Sequence, residues 1–270
     1  MPLSPVPVAS ALSRYDHVLL DLDGCVWVGD EPTPRAAEAV AALRAAGKGL
    51  AFVTNNGRHA DDDHVRKLWR LGVQASREEV VTVGAAVRFA CANAPWQTAV
   101  VVGSPAIHRH VHEAGLHVLE PDADVRADVA VVAAHDDLRY DELRHAVQAV
   151  LAGAELLCAG RDPTFPMPDG PWPGTGSVVA AVEAATGVRA RNVGKPDAEL
   201  FRTALDRLGP GRALAIGDRL DADVGGARAA GIDGAIVFTG STTAAEARAA
   251  ASGPTRPALT AATLADLVLA

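Results

Sequence analysis

Short apolar runs alternate with longer amphipathic stretches along most of this chain. The runs are rich in Val, Leu, Ile and Ala, which is the pattern of strands buried in parallel sheets. We predict strands at residues 17–22, 50–53, 80–83, 99–102, 129–132, 156–158, 213–216 and 235–238. We predict helices at residues 34–46, 60–71, 105–114, 140–152, 197–208 and 222–230. Strands that alternate with helices in this way are typical of an α/β protein.

The order of these elements divides the chain into a core and an insertion. The first and last thirds place polar residues directly after apolar strands, and a second set of α/β elements lies between them. We therefore predict a discontinuous, Rossmann-like, doubly wound core from residues 1–83 and 190–270, with an inserted α/β domain at 84–189. Residues 1–15 hold three prolines without periodicity, and we predict that they form a loosely attached arm.

A stretch rich in proline and glycine lies inside the predicted insertion. Residues 161–176 contain five prolines and three glycines, a composition that excludes a helix or a central strand. Long irregular loops in compact domains often carry function. We therefore predict an irregular loop here that contributes to substrate specificity.

Composition narrows the classes of function. The chain has 270 residues, 49% of them hydrophobic, with 25 basic and 33 acidic side chains and a net charge of −8. The lack of a basic cluster argues against nucleic acid as a partner, and no apolar run approaches the ~20 residues that span a bilayer. Three widely spaced cysteines and the lack of a signal-peptide pattern predict reduced thiols in a cytoplasmic protein.

Polar residues follow several of the predicted strands, and one lysine precedes a predicted helix. These residues are Asp21 and Asp23; Thr54, Asn55 and Asn56; Lys195; and Asp218 with Asp223. Ligands of open α/β sheets bind beyond the carboxyl ends of the strands. Several carboxylates in one pocket repel one another unless a cation lies between them. Because the motifs offer oxygen ligands without His or Cys, they favour Mg²⁺ over Zn²⁺.

The same residues suit phosphoryl transfer. Thr54 and Asn55 can donate hydrogen bonds to phosphate oxygens, and Lys195 adds a positive charge. An aspartate can accept a phosphoryl group covalently. We infer that Asp21 attacks phosphorus, and that Asp23 protonates the leaving oxygen and then deprotonates the water that cleaves the aspartyl-phosphate.

Each motif alone has a simpler explanation. A single Asp-x-Asp-Gly is more often a turn or a helix start, and Thr54-Asn55-Asn56-Gly57 alone indicates a turn with an N-cap. The four motifs together make a catalytic site the better interpretation. Two alternatives stay open: transfer of the phosphoryl group to an alcohol, and non-catalytic binding of a phosphorylated metabolite.

The four motifs resemble those of the haloacid-dehalogenase-like (HAD) superfamily of aspartate-dependent phosphohydrolases. The matching segments are Asp21-Leu22-Asp23-Gly24, Thr54-Asn55, Lys195, and Gly217-Asp218 through Asp223, in the family's order. Thr54-Asn55-Asn56, Gly194-Lys195-Pro196 and the long insertion are similar to the class IIA branch. That branch includes nitrophenyl-phosphatase-like, glycerol-phosphate, phosphoglycolate and pyridoxal-phosphate phosphatases.

This resemblance implies a function and a role for each motif residue. The function is Mg²⁺-dependent hydrolysis of a small phosphorylated metabolite under a C2-type cap, a cap through which relatives often dimerise. Asp21 is implied as nucleophile and Asp23 as acid/base. The implied metal ligands are Asp21, the Asp23 main-chain carbonyl and Asp218, with Asp223 behind them. The implied phosphate-binding residues are Thr54, Asn55, Asn56 and Lys195, and the implied substrate-facing cap residues are Arg161 and Asp162.

Overall fold

The computed structural model describes residues 7–121, 126–167 and 170–270. Its strands are β1 (His17–Asp21), β2 (Trp27–Val28), β3 (Glu31–Pro32), β4 (Gly49–Thr54), β5 (Val80–Thr82), β6 (Thr98–Val102), β7 (His117–Val118), β8 (Val129–Val132), β9 (Glu155–Cys158), β10 (Thr164–Met167), β11 (Gly170–Pro173), β12 (Arg191–Asn192), β13 (Ala213–Gly217), β14 (Asp233–Val237) and β15 (Leu259–Ala261).

Its α-helices are α1 (Ala36–Ala45), α2 (Asp61–Arg70), α3 (Val83–Ala92), α4 (Pro105–Glu113), α5 (Tyr140–Leu151), α6 (Thr175–Thr186), α7 (Glu199–Leu208), α8 (Gly226–Ala229), α9 (Ala244–Ala249) and α10 (Leu264–Val268). Within the described ranges, no helix combines the length and apolar character needed to span a membrane. Helix α3 was not predicted; all of its residues except Arg88 are apolar or glycine, so its sequence lacks the charged face that is typical of a surface helix.

The chain folds as two compact units. The first unit comprises Met1–Thr54, Asp61–Val81 and Pro196–Ala270, and the second comprises Asn55–Ala60 and Thr82–Lys195. The sequence placed the insertion at 84–189, whereas the second unit extends a few residues further at each end and also takes in the segment after β4. The assignment of the two units as catalytic core and cap stays a prediction.

The first unit contains a six-stranded sheet with the strand order β15-β14-β13-β1-β4-β5. Strand β1 pairs in parallel with both β4 and β13. The chain runs outward from β1 through β4 to β5, and β13, β14 and β15 then extend the sheet in the other direction. This is the doubly wound order, and its reversal lies between β1 and β13. The predicted Rossmann-like α/β fold is confirmed.

The core of the first unit explains why its strands are so apolar. Successive strand residues point to opposite faces of a sheet, and Leu19 and Leu20 are both buried. Leu20 and Phe52 join one apolar cluster with Ala39 and Leu43 of α1. Helix α7 packs against β4. Because helices cover the sheet, its strands are continuous apolar runs without alternation.

The sequence predicted a loose arm at residues 1–15, and this was wrong for residues 7–15, whereas residues 1–6 lie outside the described residues. Leu12 and Tyr15 are fully buried, and Val8 forms a β-bridge with Leu269 near the end of the chain. The Tyr15 hydroxyl donates a hydrogen bond to Asp233 Oδ2 at 2.8 Å. Proline content suggested disorder, but the few apolar side chains of this segment are buried against parts of the chain that are distant in sequence.

The second unit has its own five-stranded parallel sheet, with the order β12-β9-β8-β6-β7. Helices α5 and α6 pack together beside it. Helix α4 begins at Pro105, where the missing N–H costs nothing, and the Ser104 hydroxyl accepts the Ile107 N–H at 3.4 Å. This unit is therefore a second α/β layer structure.

The sequence predicted an irregular loop at residues 161–176, but most of the described residues there, 161–167 and 170–176, lie in strands or at the start of a helix. Strands β10 and β11 pair antiparallel as a two-stranded ribbon, and α6 already begins at Thr175, with Gly174 as its N-cap. A two-stranded ribbon has two outer edges, where proline's missing N–H removes no ladder hydrogen bond. The composition correctly excluded a central strand but did not exclude a ribbon.

Candidate active site

Three buried aspartates meet at the carboxyl end of the sheet in the first unit. Strand β1 ends at Asp21, and its register pairs Leu20 with Ile216 of β13. Asp218 follows β13 and therefore comes beside Asp21. Carboxylate oxygens of Asp21, Asp218 and Asp223 lie within 4.8 Å of one another, and all three residues are buried. The structure thus brings together these three sequence-predicted residues.

Asp223 holds the loop that carries Asp218. Its Oδ2 accepts hydrogen bonds from the main-chain N–H groups of Asp218 at 3.1 Å and Arg219 at 3.0 Å. A π-helical turn, Leu220–Gly225, follows where the sequence predicted the start of an α-helix. Gly217 lets the Asp223 carboxylate lie close to the main chain at the end of β13, because a Cβ atom at Gly217 would lie 2.1 Å from that carboxylate.

Backbone surrounds the Asp218 carboxylate. Its Oδ2 accepts the Ser241 N–H at 2.5 Å. A Cβ atom at Gly24 would lie 2.5 Å from this side chain, and one at Gly240 would lie 2.1 Å from it. Gly24 also has φ +88°, a conformation that glycine adopts without strain. The glycine of the first motif is therefore needed both for the turn and for space.

Asp23 differs from the buried three, because it is exposed. The Trp27 indole N–H donates to Asp23 Oδ1 at 2.7 Å, and the Trp27 carbonyl accepts the Gly24 N–H. Trp27 is only 1% exposed and stacks on His64, with the Lys67 Nζ 4.5 Å from its ring centre. Trp27 was not predicted as a site residue from the sequence. The signal that could have found it is a Trp four residues after Asp23, within reach across a tight turn.

The donor set of the first unit fits a hard divalent cation. The grouped atoms are carboxylate oxygens, and the described part of the chain adds no His or Cys to the group. Three buried carboxylates this close repel one another strongly when ionised. A cation that prefers oxygen ligands relieves this repulsion, as the sequence predicted for Mg²⁺.

In the second unit, Asn55 joins two other predicted site residues. Its Oδ1 accepts the Lys195 N–H at 2.8 Å, and its Nδ2 donates to the Lys195 carbonyl at 3.0 Å. The same Nδ2 donates to Asp162 Oδ2 at 3.0 Å. Lys195 is 4% exposed. The structure therefore brings Asn55, Lys195 and Asp162 together, through contacts that the sequence did not indicate.

Arg161, predicted as a substrate-facing residue, has partners inside the second unit. Its guanidinium donates to the Ala190 carbonyl at 2.5 Å and to Glu183 Oε1 at 3.1 Å. Burial acts to raise the pKa of Glu183, but the Ala190 N–H and the Arg161 guanidinium outweigh it and hold that pKa below its usual value. The charge of Arg161 is thus compensated by a structural ion pair, and its role in specificity stays a prediction.

Thr54 and Asn56, the other two residues of the Thr54-Asn55-Asn56 motif, lie in different environments. Thr54 is the last residue of β4 and is buried. Asn56 Oδ1 accepts the Arg58 N–H at 3.0 Å, which closes a short turn. The Arg58 guanidinium forms an ion pair with Asp136 of the second unit. These contacts explain why the segment after β4 packs with the second unit.

Two family models match the chain. The model described as haloacid dehalogenase-like hydrolase matches residues 18–117, and a second, described as HAD-hydrolase-like, matches residues 192–267. Together they cover more than half of the chain. The chain belongs to the haloacid dehalogenase-like hydrolases. The family predicted from the four motifs is therefore confirmed.

Curated relatives support the class IIA assignment of this HAD-like hydrolase. A D-glycerol 3-phosphate phosphatase from Mycobacterium tuberculosis is 36% identical over 86% of the chain and 65% of the relative. The chain thus spans slightly less than two thirds of that relative's length. Human chronophin is 33% identical over 88% of the chain and 86% of the relative.

Solved structures agree with this assignment. The crystal structure of glycerol phosphate phosphatase from Mycobacterium tuberculosis in complex with magnesium superposes with a TM-score of 0.89 at 35% identity, over 96% of this chain and 78% of that one. The p-nitrophenyl phosphatase from Archaeoglobus fulgidus superposes with a TM-score of 0.85 at 27% identity, over 94% and 98% of the two chains.

Proposed function

We propose that this HAD-like hydrolase is a Mg²⁺-dependent phosphatase of small phosphorylated metabolites. The observation that carries the proposal is the buried group of Asp21, Asp218 and Asp223, which offers oxygen ligands at the reversal point of a doubly wound sheet. Relatives named D-glycerol 3-phosphate phosphatase and acid sugar phosphatase support a small phosphate monoester as substrate. The neighbouring structure in complex with magnesium supports the metal.

In this proposal, Asp21, Asp218 and the Asp23 main-chain carbonyl would hold Mg²⁺, and Asp223 would keep the Asp218 loop in place. When bound, the ion supplies charge neutralisation for the phosphoryl oxygens and for the carboxylates. Thr54, Asn56 and Lys195 contribute hydrogen bonds and positive charge to the phosphate. The positive charge of Lys195 matters most as negative charge spreads over the transferring group.

The chemistry follows from two aspartates with different environments. A carboxylate oxygen of buried Asp21 attacks phosphorus, and the bond from phosphorus to the ester oxygen breaks as Asp23 gives that oxygen a proton. Asp23 then takes a proton from water, and the resulting hydroxide attacks the aspartyl-phosphate. Phosphate leaves and Asp21 is regenerated. Exposed Asp23 can exchange protons with solvent, which suits the acid/base role.

The decisive experiment replaces the nucleophile. Asp21→Asn should lower kcat for p-nitrophenyl phosphate by at least about 10³-fold, because amide nitrogen and oxygen do not replace an attacking carboxylate. Asp221→Asn is the matched control, since Asp221 is an exposed acid paired with Arg219 nearby in sequence and should leave turnover near the wild-type value. Full activity in Asp21→Asn would exclude the covalent route.

The same assay separates the two alternatives. A screen of glycerol phosphate, phosphoglycolate, sugar phosphates, pyridoxal phosphate and nucleoside monophosphates, ranked by kcat/KM, identifies the substrate. Tight binding of one of these without turnover would favour the non-catalytic function. Phosphorylation of an added acceptor alcohol would favour phosphotransfer.

Two further parts of the proposal concern the state of the protein. A homodimer formed through the second unit is supported by exposed apolar side chains on α5, Tyr140 and Leu151, and sedimentation equilibrium tests it. A cytoplasmic location is supported by Cys25, Cys91 and Cys158, which are all buried and form no disulfide within the described residues. Fractionation of cells that express the protein tests it.

A further inference from the structure

The side chain of Asn55 has no amide hydrogen left for a ligand. An Asn side chain carries two N–H donors and one carbonyl acceptor. One N–H of Asn55 goes to the Lys195 carbonyl and the other to Asp162 Oδ2, both at 3.0 Å. The side-chain oxygen accepts the Lys195 N–H at 2.8 Å. The sequence assigned this amide to phosphate, whereas the structure directs all of its hydrogens to protein acceptors.

The two bonds to Lys195 form a cyclic pair. Asn55 contacts the N–H and the C=O of the same residue, as a neighbouring strand would in a sheet. This arrangement fixes the position and the orientation of the Lys195 peptide groups. The third bond, to Asp162, connects the pair to the segment that leads into β10.

The residues before Lys195 leave space for the two hydrogen bonds between Asn55 and Lys195. A Cβ atom at Gly194 would lie 2.9 Å from Asn55 Oδ1 and 2.5 Å from the Ala159 carbonyl oxygen, so a larger residue would displace the amide. The Asn192 side chain donates to the Gly194 carbonyl at 2.6 Å. The Lys195 main chain is therefore held from within its own segment and by Asn55.

We propose that Asn55 is a positioning residue, which holds the main chain of Lys195 so that the ammonium group is presented to the phosphate, and that it does not bind the phosphate itself through its side chain. The proposal rests on the proposed function for the role of Lys195. A flexible lysine loses about four side-chain torsions on binding, so a fixed backbone is what gives its charge a defined starting point.

The first test does not depend on catalysis. In the wild-type protein, the Lys195 amide should exchange slowly with deuterated solvent, as measured by NMR. Asn55→Ala should speed that exchange by roughly 5- to 100-fold, because two hydrogen bonds of ordinary strength are lost. Asn93→Ala is the matched control, since the Asn93 amide donates to the Phe89 carbonyl at a helix end elsewhere in the second unit. Unchanged Lys195 exchange in Asn55→Ala would overturn the proposal.

The second test asks whether Asn55 acts through Lys195. Binding of inorganic phosphate in the presence of Mg²⁺ is measured by calorimetry for Asn55→Ala, Lys195→Met and the double variant. If Asn55 only positions Lys195, Asn55→Ala weakens binding about tenfold in the wild-type background and by less than twofold in the Lys195→Met background. Independent, multiplying effects would show that the Asn55 side chain contacts phosphate and would refute the proposal.

A third variant covers the case in which Asn55→Ala does not fold. Asn55→Asp keeps the acceptor for the Lys195 N–H but loses both donors and sets a second carboxylate against Asp162. Adding Asp162→Asn restores a donor–acceptor pair with reversed polarity, so the double variant should recover Lys195 protection relative to Asn55→Asp. No recovery would count against the proposal. If the wild-type protein hydrolyses no phosphate ester, the proposed function fails, while the exchange experiment still decides the role of Asn55.

Discussion

The hydrogen bond between Trp27 and Asp23 provides a specific perturbation of the proposed acid/base. Trp27→Phe removes the indole N–H, which lies 2.7 Å from Asp23 Oδ1, and keeps an aromatic ring in a buried site. The carboxylate of Asp23 then loses the donor that restrains it, while Asp21, the proposed nucleophile, and its buried partners Asp218 and Asp223 are unchanged. We expect protonation of the leaving group to slow more than any other step.

The size of the effect follows from the exposure of Asp23. A hydrogen bond to a charged acceptor contributes about 1.5–3 kcal/mol when water is excluded. Because Asp23 is exposed, water replaces part of that bond when the indole is removed. We therefore expect the loss of the indole donor to cost about 1 kcal/mol. This corresponds to a fall of roughly fivefold in kcat, at 1.36 kcal/mol per factor of ten.

The leaving group makes the assay selective. An alkyl phosphate such as glycerol phosphate leaves as a strongly basic alkoxide and needs a proton, whereas p-nitrophenolate leaves readily without one. We therefore expect Trp27→Phe to lower kcat for the alkyl ester and to leave kcat for p-nitrophenyl phosphate nearly unchanged. Trp96→Phe is the matched control, because its indole also donates to a carboxylate, Glu155, at 3.4 Å in the other unit.

Two results would refute this reasoning. Wild-type kcat with the alkyl ester would show that the indole does not restrain Asp23. An equal fall for both esters would assign Trp27 to packing, since loss of packing does not distinguish between leaving groups. Thermal unfolding of each variant checks that the protein remains folded at the assay temperature.

Two other predictions concern the metal and the pH dependence of stability. Asp223→Asn should raise the Mg²⁺ concentration for half-maximal activity by about 10–100-fold, because Asp223 holds the main chain at Asp218. The titration with Mg²⁺ is followed by activity and by calorimetry, and an unchanged titration would contradict this prediction. Glu183→Gln should lower Tm by roughly 2–4 °C at pH 7. The pKa of Glu183 is lowered in the fold, so its ionised form stabilises the protein above the unfolded value of 4.5 and loses that effect as pH falls through the folded pKa. The Tm difference, measured by calorimetry from pH 7 to pH 3, should therefore close at low pH, and a constant difference would indicate a packing effect.

The hydrophobic pattern was sufficient for the class of fold because it is a local signal. Buried parallel strands are apolar throughout, and their period and length can be recognised without knowing their neighbours. The same locality explains the failures. The segment that contains Leu12 and Tyr15 is too short to show a period. Its place in the fold depends on residues far along the chain, because Tyr15 bonds to Asp233 and Val8 pairs with Leu269.

The sequence by itself determined the α/β class, the family and the identity of the motif residues, because four motifs in a fixed order are a property of the chain. Only the tertiary structure decided which hydrogen bonds those residues make. It placed the Asn55 amide on Lys195 and Asp162, the Trp27 indole on Asp23, and Arg161 on Glu183. These partners, apart from Trp27, lie 22 to 140 residues away in the chain. A donor bonds to whichever acceptor the fold brings within about 3 Å of it. Neither the composition of a segment nor the spacing of residues along it predicts which acceptor that will be.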